Sequence, residues 1–408
     1  MTMHHLSVVR RGAVGVLVLA LVVLTSAAPA GASQVWTVVR SANQGTITNF
    51  LYDVSCTSAK TCTAVGFHTA TGADLALIET RNGGNWKIVP SPSPGATWNF
   101  LYGVSCATAK SCMAVGRYET FNGINRNLAL SWNGKVWSTV PVINRGMYNN
   151  ALTGLSCVAV NSCVAVGSWA SITTGKTQTL VESWNGKTWS VVPSPSPTGP
   201  VTTLNRVSCV STRACTAVGH YEDAQNVEQT LVESWNGRAW SIVPSPDNGP
   251  YDNELTDVSC VSTTSCQAVG SATTVPAGAF GAGGINQSFV ESWNGKVWAI
   301  AENPNPGTVL TTLSSVSCIS AKSCTAVGSY QNAGSNLRRT LVESWNGSAW
   351  KVVSSPNPKP GTAPDNYIGG ITGSGLNGVS CVSVTSCHAV GFHDNASGHD
   401  ESLIVRFG

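Results

Sequence analysis

Short apolar runs rich in Val, Ala, Leu and Ile alternate with Gly, Asn, Ser and Pro along the chain from Gln34 onward. We find no stretch with the 3.6-residue period of an amphipathic helix, and the β-branched and aromatic residues in the runs favour strands. The pattern Leu-x-x-Val-Ser-Cys-x5-Cys-x-Ala-Val-Gly recurs seven times with small changes. Successive first cysteines are 50, 51, 52, 51, 58 and 63 residues apart, so the repeats grow only between the motifs.

Each repeat predicts four short strands, which we name a, b, c and d in chain order. Strand a is Leu-x-x-Val-Ser-Cys, and strand b is Cys-x-Ala-Val-Gly with the next two or three residues. Strands c and d are clearest at Thr179–Pro193, where Leu-Val-Glu-Ser-Trp and Trp-Ser-Val-Val-Pro flank an Asn-Gly hairpin signal. Four strands per roughly 50 residues is typical of one propeller blade. The sequence therefore predicts an all-β, seven-bladed β-propeller with four antiparallel strands per blade.

The two ends of the repeat series complement each other. The seventh repeat supplies strands a and b and, at Leu403–Gly408, strand c, but no strand d follows. The segment Gln34–Val39 matches strand d and has no strand c before it. We therefore predict that the N-terminal strand d pairs with the C-terminal strand c, which closes the ring and removes its open edges.

The first 32 residues have the pattern of a secretory signal peptide. Arg10 and Arg11 precede the apolar run Gly12–Leu24, and Ala30–Ala32 offers small residues suited to cleavage. The run is shorter than the ~20 residues of a membrane span, and an uncleaved anchor is the alternative. We expect residues 1–32 to be the signal peptide and residues 33–408 to form a single propeller domain. The mature chain would then be secreted and have no membrane span.

Fourteen cysteines in an exported chain favour disulfides over metal or thiol chemistry. Five residues separate the two cysteines of each repeat, which suits a bond across the a–b hairpin of one blade. A metal or redox site is the alternative, but a pair in every blade argues against it. The predicted disulfides are Cys56–Cys62, Cys106–Cys112, Cys157–Cys163, Cys209–Cys215, Cys260–Cys266, Cys318–Cys324 and Cys381–Cys387.

Charge is sparse and nearly balanced. Charged residues make up 11% of the sequence, and the formal net charge is +3. This composition argues against nucleic acid or an anionic membrane surface as a partner. We find no calcium-loop or serine-hydrolase pattern, and we expect no cofactor and no metal. The chain is expected to be a monomer whose partner is an extracellular glycan or protein.

Five repeats carry Ser-Trp-Asn-Gly-x-x-Trp between strands c and d, at Ser131–Trp137, Ser183–Trp189, Ser234–Trp240, Ser292–Trp298 and Ser344–Trp350. The motif resembles the Asp-box, Ser-x-Asp-x-Gly-x-x-Trp, of sialidase-type propellers, but it is one residue shorter and has Asn for Asp. The resemblance implies a propeller in which this turn is structural and its tryptophan packs beneath it. Sialidases also need three arginines, and only Arg117 and Arg206 fall near the expected channel mouth, so we do not predict that activity.

Loop lengths predict two different faces of the ring. The a–b and c–d turns are nearly constant in length, whereas the b–c and d–a loops carry the variation, and variable loops on a rigid scaffold often carry function. Two residues after the glycine of strand b, six of seven repeats have an aromatic residue or histidine, which suits stacking on a sugar or peptide. These candidate binding residues are His68, Tyr118, Trp169, Tyr221, Tyr330 and His393. Packing between blades is the alternative interpretation.

Other polar residues have two interpretations each. Asparagines open strand a in four repeats and either contact a ligand or cap the strand; they are Asn49, Asn99, Asn150 and Asn253. Catalysis needs one or two converging carboxylates rather than one per blade, so the glutamate of strand c is not assigned a catalytic role. It recurs as Glu79, Glu182, Glu233, Glu291 and Glu343. His393-Asp394 and His399-Asp400 suit a cation or, more simply, a solvated loop.

Three functions remain open at this stage. The leading hypothesis is a non-enzymatic binding module that uses the face of the b–c and d–a loops. The second is a glycan-acting hydrolase or lyase at the channel mouth, and the third is a structural component of the cell envelope or matrix. The candidate carboxylates of the second are Asp53, Glu222, Asp223, Asp257 and Asp394. The least regular stretches, Pro276–Gly284 and Pro356–Gly375, are further candidates for a specific contact.

Overall fold

The computed structural model describes residues 34–45, 47–275, 284–335, 337–358, 372–395 and 397–408. The predicted signal peptide and most of the two irregular stretches lie outside these residues. All the regular elements among the described residues are β-strands. In that same part of the chain, no helix is long and apolar enough to cross a membrane.

The strands fall into the four types that the repeat predicts. Type a comprises β2 (Asn49–Ser58), β6 (Asn99–Thr108), β10 (Asn150–Ala159), β14 (Thr202–Ser211), β18 (Asn253–Ser262), β22 (Leu310–Ser320) and β26 (Thr372–Ser383). Type b comprises β3 (Thr61–Ala70), β7 (Ser111–Glu119), β11 (Ser162–Ala170), β15 (Ala214–Glu222), β19 (Ser265–Val275), β23 (Ser323–Gln331) and β27 (Ser386–Asp394). Type c comprises β4 (Ala73–Asn82), β8 (Asn125–Trp132), β12 (Thr177–Trp184), β16 (Glu228–Trp235), β20 (Ile285–Trp293), β24 (Leu337–Trp345) and β28 (Asp400–Phe407). Type d comprises β5 (Lys87–Ile88), β9 (Trp137–Thr139), β13 (Trp189–Val191), β17 (Trp240–Ile242), β21 (Trp298–Ala301), β25 (Trp350–Val352) and β1 (Trp36–Val39).

Each blade has four antiparallel strands in the order a-b-c-d, and the seventh takes its strand d from the start of the chain. Short parallel contacts of β20 with β22 and of β24 with β26 join blades 5, 6 and 7 into one 12-stranded sheet. Strands β26, β27 and β28 pair in succession, and β1 pairs with β28 with Trp36 opposite Phe407 and Val39 opposite Ile404. The rings of Trp36 and Phe407 lie 5.5 Å apart. The predicted seven-bladed propeller and its closure by the two chain ends are confirmed.

The hydrophobic core lies between the blades, because each sheet buries both faces against its neighbours. One such layer joins Val65 and Ile78 of blade 1 to Leu101, Leu130 and Trp137 of blade 2, all at most 5% exposed. Burial of one such side chain contributes roughly 1.5–3 kcal/mol. The stability of the ring therefore depends on packing between every pair of adjacent blades.

A β-bulge in strand a explains the glycine of Ala-Val-Gly. The register slips by one residue after the repeat's leucine, as between Leu51 and Asp53 in blade 1. A Cβ at the opposite glycine, Gly66, would lie 1.8 Å from the carbonyl oxygen of Phe50. The same clash recurs at the equivalent glycines, for example Gly116 against Phe100. Because the bulge pushes backbone against backbone, only glycine fits, and the residue after the leucine turns toward the ring axis.

The a–b and c–d turns form one face of the ring, which we call the constant face, and the b–c and d–a loops form the variable face. The turns of the constant face are short and are held by disulfides and side-chain hydrogen bonds. The seven predicted disulfides are present, and each joins directly paired residues of strands a and b, such as Cys56 and Cys62. In the c–d turns, the asparagine of Asn-Gly accepts two backbone N–H bonds, as Asn185 Oδ1 does from Lys187 and Thr188 at 2.9 Å each. The following glycine, Gly186, has φ of 92°, which favours glycine. The strand d tryptophans beneath these turns are buried.

Candidate functional site

The seven inner strands surround a cavity of about 420 Å³ on the ring axis. Strand a of every blade contributes to its wall. Its lining residues are Tyr52, Tyr102, Thr153, Asn205, Arg206, Glu254, Thr256, Ser314 and Asn377. Most of them follow the repeat's leucine at the bulge, so the same backbone feature aims a different side chain from each blade into one space. We call this cavity the channel mouth.

Arg206 and two aspartates form a charged cluster at the channel mouth. The Arg206 guanidinium donates to the carbonyl oxygens of Tyr102, at 3.0 Å, and Thr153. Asp53 Oδ2 accepts the N–H of Val104 at 2.9 Å. Burial raises the pKa of Asp53 to about 6, and the attraction of Arg206 and two backbone N–H groups opposes this rise. These groups tie blades 1, 2, 3 and 4 together around the axis.

Asp257 of blade 5 joins two blades in the same way as Asp53. Its carboxylate accepts the Ser315 hydroxyl at 2.7 Å and the Val316 N–H at 2.9 Å, both from the next blade. Burial raises its pKa, against the opposing charge of Arg206. Asp53 and Asp257, both candidate carboxylates of the hydrolase hypothesis, are therefore held by backbone and Arg206. Their hydrogen bonds join neighbouring blades, which indicates a structural role.

One wall of the channel mouth is aromatic. Phe50 stacks on Phe392 with ring centroids 4.8 Å apart, and Phe67 meets Phe100 edge-on at 4.9 Å. Next to them, Tyr52 and Tyr102, whose centroids lie 5.1 Å apart, reach the cavity itself. Burial is the main cause that raises the pKa of both phenols, so they stay neutral and can donate hydrogen bonds. The Arg117 guanidinium lies 5.6 Å from the Phe100 centroid and 5.9 Å from that of Tyr102.

The opposite wall is polar and acidic. Glu254 Oε1 accepts from the Asn205 amide at 2.9 Å and lies 3.5 Å from His220 Nδ1. His220 Nε2 lies 3.8 Å from Glu228 Oε1. Burial acts to raise the pKa of Glu254, but the hydrogen bond and charge of His220, with Asn205, outweigh it and lower that pKa. For His220 the interactions with Glu254 outweigh burial and raise its pKa. Glu254 therefore presents a negative charge to the cavity.

Two groups of side chains have the donor types of a metal site. His220, Glu228 and Glu254 each place one donor atom within 4.8 Å of the others. They already pair among themselves through the two His220 nitrogens. Cys56, Cys62 and His388 are equally close, but both sulfurs belong to a disulfide and are not thiolates. Neither group therefore changes the expectation that the chain has no resident metal.

The six predicted binding residues lie in strand b, and the channel mouth is lined by residues of strand a. Tyr118, Trp169, Tyr221 and Tyr330 pack against the hydrophobic layers between blades, which is the packing that the sequence left as an alternative. His68 is 4% exposed, and His393 Nε2 lies 3.8 Å from Glu401 of the same blade. The preceding positions Phe67, Arg117, His220 and Phe392 belong to the aromatic and polar clusters beside the channel mouth.

A sequence signal for the aromatic wall did exist. Aromatic residues flank the leucine of strand a in the first two repeats, as Phe50-Leu51-Tyr52 and Phe100-Leu101-Tyr102. Alternation along a strand places both flanking residues on the side opposite the buried leucine. In the other repeats these two positions are polar, apart from Ala151 and Gly375. The departure of blades 1 and 2 from the repeat, rather than the shared aromatic position in strand b, marks the site.

The asparagines that open strand a close the d–a loops. Asn49 Oδ1 accepts the Gln44 N–H at 2.7 Å, and Asn150 Oδ1 accepts that of Arg145 at 2.8 Å. Asn99 and Asn253 make the same bond, and all four are at most 1% exposed. Each side chain accepts a hydrogen bond from the backbone of its own d–a loop, as the capping interpretation predicts.

The strand c glutamates connect blades rather than meet at one centre. Glu79 accepts the Ser41 hydroxyl at 2.7 Å, and Glu233 and Glu291 accept those of Ser194 and Ser245 at 2.6 and 2.7 Å. Each serine belongs to the loop that leads out of the preceding strand d. All five glutamates are fully buried. Because these serine–glutamate bonds recur in successive blades, the strand c glutamates are not assigned a catalytic role.

The aspartates of the two His-Asp pairs in blade 7 lie next to each other on strands β27 and β28. Asp394 lies opposite Asp400, and its carboxylate accepts the Gly373 N–H. Burial, followed by the neighbouring Asp394, raises the pKa of Asp400 to about 7, while Arg338 opposes the rise. Asp394 and Asp400 therefore interact with each other and with Gly373 and Arg338.

Comparison with known proteins supports the fold and goes no further. No family model and no curated protein matches the chain. A solved structure of YCF48 bound to D1 peptide is similar over 91% of this chain and 96% of that chain, at 12% identity and a TM-score of 0.52. A GH74 xyloglucanase from Xanthomonas campestris matches over 88% of this chain and 54% of its own length, at 10% identity and a TM-score of 0.53. A protein of unknown function from Dyadobacter fermentans matches over 91% and 97%, at 9% identity and a TM-score of 0.51.

These likenesses and the closed ring define the class: the chain is a seven-bladed β-propeller. Identities of 9–12% establish the fold alone. The similar structures include a peptide-bound protein and a glycoside hydrolase. The choice of function therefore depends on the channel mouth itself.

Proposed function

We propose that this chain is a secreted, monomeric, non-enzymatic binding propeller that captures a segment of an extracellular protein at the channel mouth. The observation that carries the proposal is the pairing of two unlike walls, Tyr52 and Tyr102 on one side and Glu254 with Asn205 on the other. The walls suit a side chain with an apolar stem and a cationic end, as a lysine or arginine has. The similar structure of YCF48 with a bound peptide is consistent with a peptide ligand.

The loops around the aromatic wall favour a protein partner. Phe121, Tyr148 and Trp98 are 95%, 53% and 44% exposed in the loops of the variable face. Hydrogen bonds join these loops side by side, from Ala96 to Glu119 and from Asn125 to Asn149. Large exposed apolar side chains grouped at one edge commonly mark a protein contact. A bound segment would thus cover these loops and place one side chain in the channel mouth.

A peptide selection would test this proposal. Phage-displayed peptides are selected on the immobilised protein, and the enriched peptide is measured by fluorescence anisotropy. We expect an enriched basic residue beside an apolar one, with affinity reduced at least ~10-fold by Glu254→Gln and by Tyr102→Ala, each a loss of about 1.4 kcal/mol or more. Val160→Ala, an exposed position on the opposite face, is the matched control and should bind normally. No enriched peptide, or one bound equally by both variants, would contradict the proposal.

Glycan hydrolysis is the second candidate, and one observation favours it. Glu228 and Glu254 offer carboxylate oxygens within 4.8 Å of each other beside His220. Burial raises the pKa of Glu228, whereas that of Glu254 is lowered, which resembles the division between an acid and a nucleophile. Turnover of chromogenic glycosides, abolished by Glu254→Gln, would replace the binding proposal with this one.

A further inference from the structure

A second kind of cavity lies on the constant face, between neighbouring blades. Cavities of about 290, 280 and 230 Å³ occur at the junctions of blades 3 and 4, blades 4 and 5, and blades 6 and 7. Equivalent residues of the repeat line all three, and none of them lines the channel mouth. We call them the inter-blade pockets. Because they arise from the repeat, they present one kind of surface several times on a single rigid ring.

Each pocket has an aromatic wall and an aliphatic wall. At blades 3 and 4, blade 4 contributes the half-buried Trp235 of strand c and the Cys209–Cys215 disulfide, and blade 3 contributes Val158 and Val181. At blades 6 and 7, Phe407 takes the position of Trp235 beside the Cys381–Cys387 disulfide. The rings pack against tryptophans of strand d, Trp235 against Trp240 at 5.8 Å and Phe407 against Trp36 at 5.5 Å. Aromatic rings held by the fold therefore line each pocket.

Serine hydroxyls without protein partners line the same pockets. Ser162 and Ser183 line the first pocket, and Ser323 and Ser344 are their equivalents in the third. Within the described part of the chain, none of these four hydroxyls makes a hydrogen bond to the protein. No charged side chain lines the first or the third pocket, whereas the second has Arg213 at its edge and Ser234 as its strand c serine. A purely apolar ligand would desolvate the hydroxyls without pairing them, which is unfavourable, and an ionic ligand would find no counter-charge.

We propose that the inter-blade pockets bind neutral pyranose rings of an extracellular polysaccharide, one ring in each pocket. A pyranose has an apolar C–H face for the indole and a rim of hydroxyls for the serines. The pocket volumes lie below the ~300–1,000 Å³ typical of sites for larger ligands, which limits each pocket to one ring. Repetition around the ring lets one polymer, or several branches of it, occupy more than one pocket. This gain in avidity compensates for weak single sites.

Titration with simple sugars and with their polymers tests the inference. The probes are methyl glycosides of glucose, galactose, mannose and N-acetylglucosamine, free and displayed on polyacrylamide, followed by tryptophan fluorescence. At least one free glycoside should bind with Kd on the order of 1 mM, and its polymer should bind ~100-fold tighter or more. Ser183→Phe, Ser234→Phe and Ser344→Phe fill the three pockets, and together they should remove at least ~100-fold of the polymer's apparent affinity.

A phenylalanine on the other face of the ring is the matched control for these substitutions. Thr173 is exposed in the b–c loop of blade 3 and lines none of the three pockets. Thr173→Phe should leave sugar binding unchanged. If the phenylalanine variants do not fold, Ser→Ala changes at the same three positions keep the pockets open, and loss of the hydroxyls should weaken binding of the polymer by ~10-fold or more. Absence of binding by every sugar, unchanged binding by the filled or alanine variants, or equal loss in Thr173→Phe would each overturn the inference.

Discussion

The backbone N–H of Cys56 donates a 3.0 Å hydrogen bond to Ser380 Oγ, although the two residues are 324 positions apart in the chain. It is one of seven equivalent bonds, in which the serine of Val-Ser-Cys in one blade accepts the cysteine N–H of the next. The other six run from Cys106 to Ser55, Cys157 to Ser105, Cys209 to Ser156, Cys260 to Ser208, Cys318 to Ser259 and Cys381 to Ser317. The bonds form a closed circle around the axis. The serine of the repeat is thus explained by a contact between neighbouring blades, and the bond between Cys56 and Ser380 exists only when the ring is closed.

Closure by the first strand makes the two chain ends depend on each other. Deletion of Gln34–Val39 removes β1 and leaves Leu403–Phe407 as an open edge, without the burial of Trp36. We expect a lower melting temperature and faster hydrogen exchange at Leu403–Phe407 than in blades 3 and 4. Loss of a buried tryptophan alone costs about 3–5 kcal/mol. Trp240→Ala, at the equivalent position of blade 4, should cost a similar amount without opening the chain ends. Unchanged melting and exchange after the deletion would contradict this closure.

All fourteen cysteines should resist alkylation until a reductant is added. Each is paired in the structure, and none of the described cysteines is free. Loops as short as these limit the gain from each bond to ~2.5 kcal/mol or less, so a Cys260→Ser, Cys266→Ser double variant should still fold. Mass spectrometry of peptides from the non-reduced protein checks the pairing. Free thiols, or bridges between different blades, would show that the pairing is wrong.

Stability should fall as the pH rises from about 4.5 to about 8, the range between the ordinary and the folded-state pKa values of four buried glutamates. Burial raises the pKa of Glu182 and Glu233 to about 7 and that of Glu291 and Glu343 to about 8. The folded state then holds protons that the unfolded chain has lost, so the free energy of unfolding decreases as pH rises through these folded-state pKa values. The slope is at most about 1.4 kcal/mol per pH unit for each group.

Urea unfolding at pH 6.5 and pH 8.5 measures this slope. Glu291→Gln should flatten it and stabilise the protein at pH 8.5, because the amide resembles the protonated carboxyl. Glu302→Gln, at an exposed glutamate that follows strand d of the same blade, is the control and should leave the slope unchanged. Below about pH 6.5 the buried His388, whose pKa burial lowers to about 4, acts in the opposite direction. Greater stability at pH 8.5 than at pH 6.5 would contradict the expected sign.

Removal of the Arg206 charge should destabilise the ring from its centre. Arg206→Leu removes the positive charge that opposes the raised pKa of Asp53 and Asp257, and it removes the bonds to the carbonyls of Tyr102 and Thr153. Loss of hydrogen bonds that involve a charged group costs about 1.5–3 kcal/mol. Arg213→Leu, on an exposed a–b turn, should cost under about 1 kcal/mol. The urea midpoint of Arg206→Leu should therefore be clearly lower than that of Arg213→Leu. Equal midpoints would argue against a stabilising role for the contacts of Arg206.

The architecture was predictable because each repeat carries its own instructions. Turn residues, hairpin asparagines and cysteine spacing act over a few residues, so Asn185-Gly186 and Cys157…Cys163 specify local structure without reference to the rest of the chain. Closure was predictable as well, since the unpaired strands at Gln34–Val39 and Leu403–Phe407 are complementary pieces of one repeat. The seven blades, their strand order and their closure are all present in the structure.

The channel mouth was not predictable from the strand b aromatics. Tyr118 and Trp169 are half-buried against the layers between blades. Because each blade is covered on both faces by its neighbours, alternation along a strand does not separate inside from outside. Which side chains reach the axis is decided by the bulge after Leu51 and its equivalents, which shifts the register by one residue.

The sequence by itself determined the repeating unit, the number of blades, the disulfides and the way the ring closes, because these features follow from short-range spacing and from complementary ends. Tertiary structure alone decided what the ring brings together. Tyr52, Tyr102 and Glu254 come from three blades and meet only at the axis. The inter-blade pockets likewise exist only where two blades pack at a fixed distance. Sites of this kind depend on the curvature of the closed ring, which no single repeat encodes.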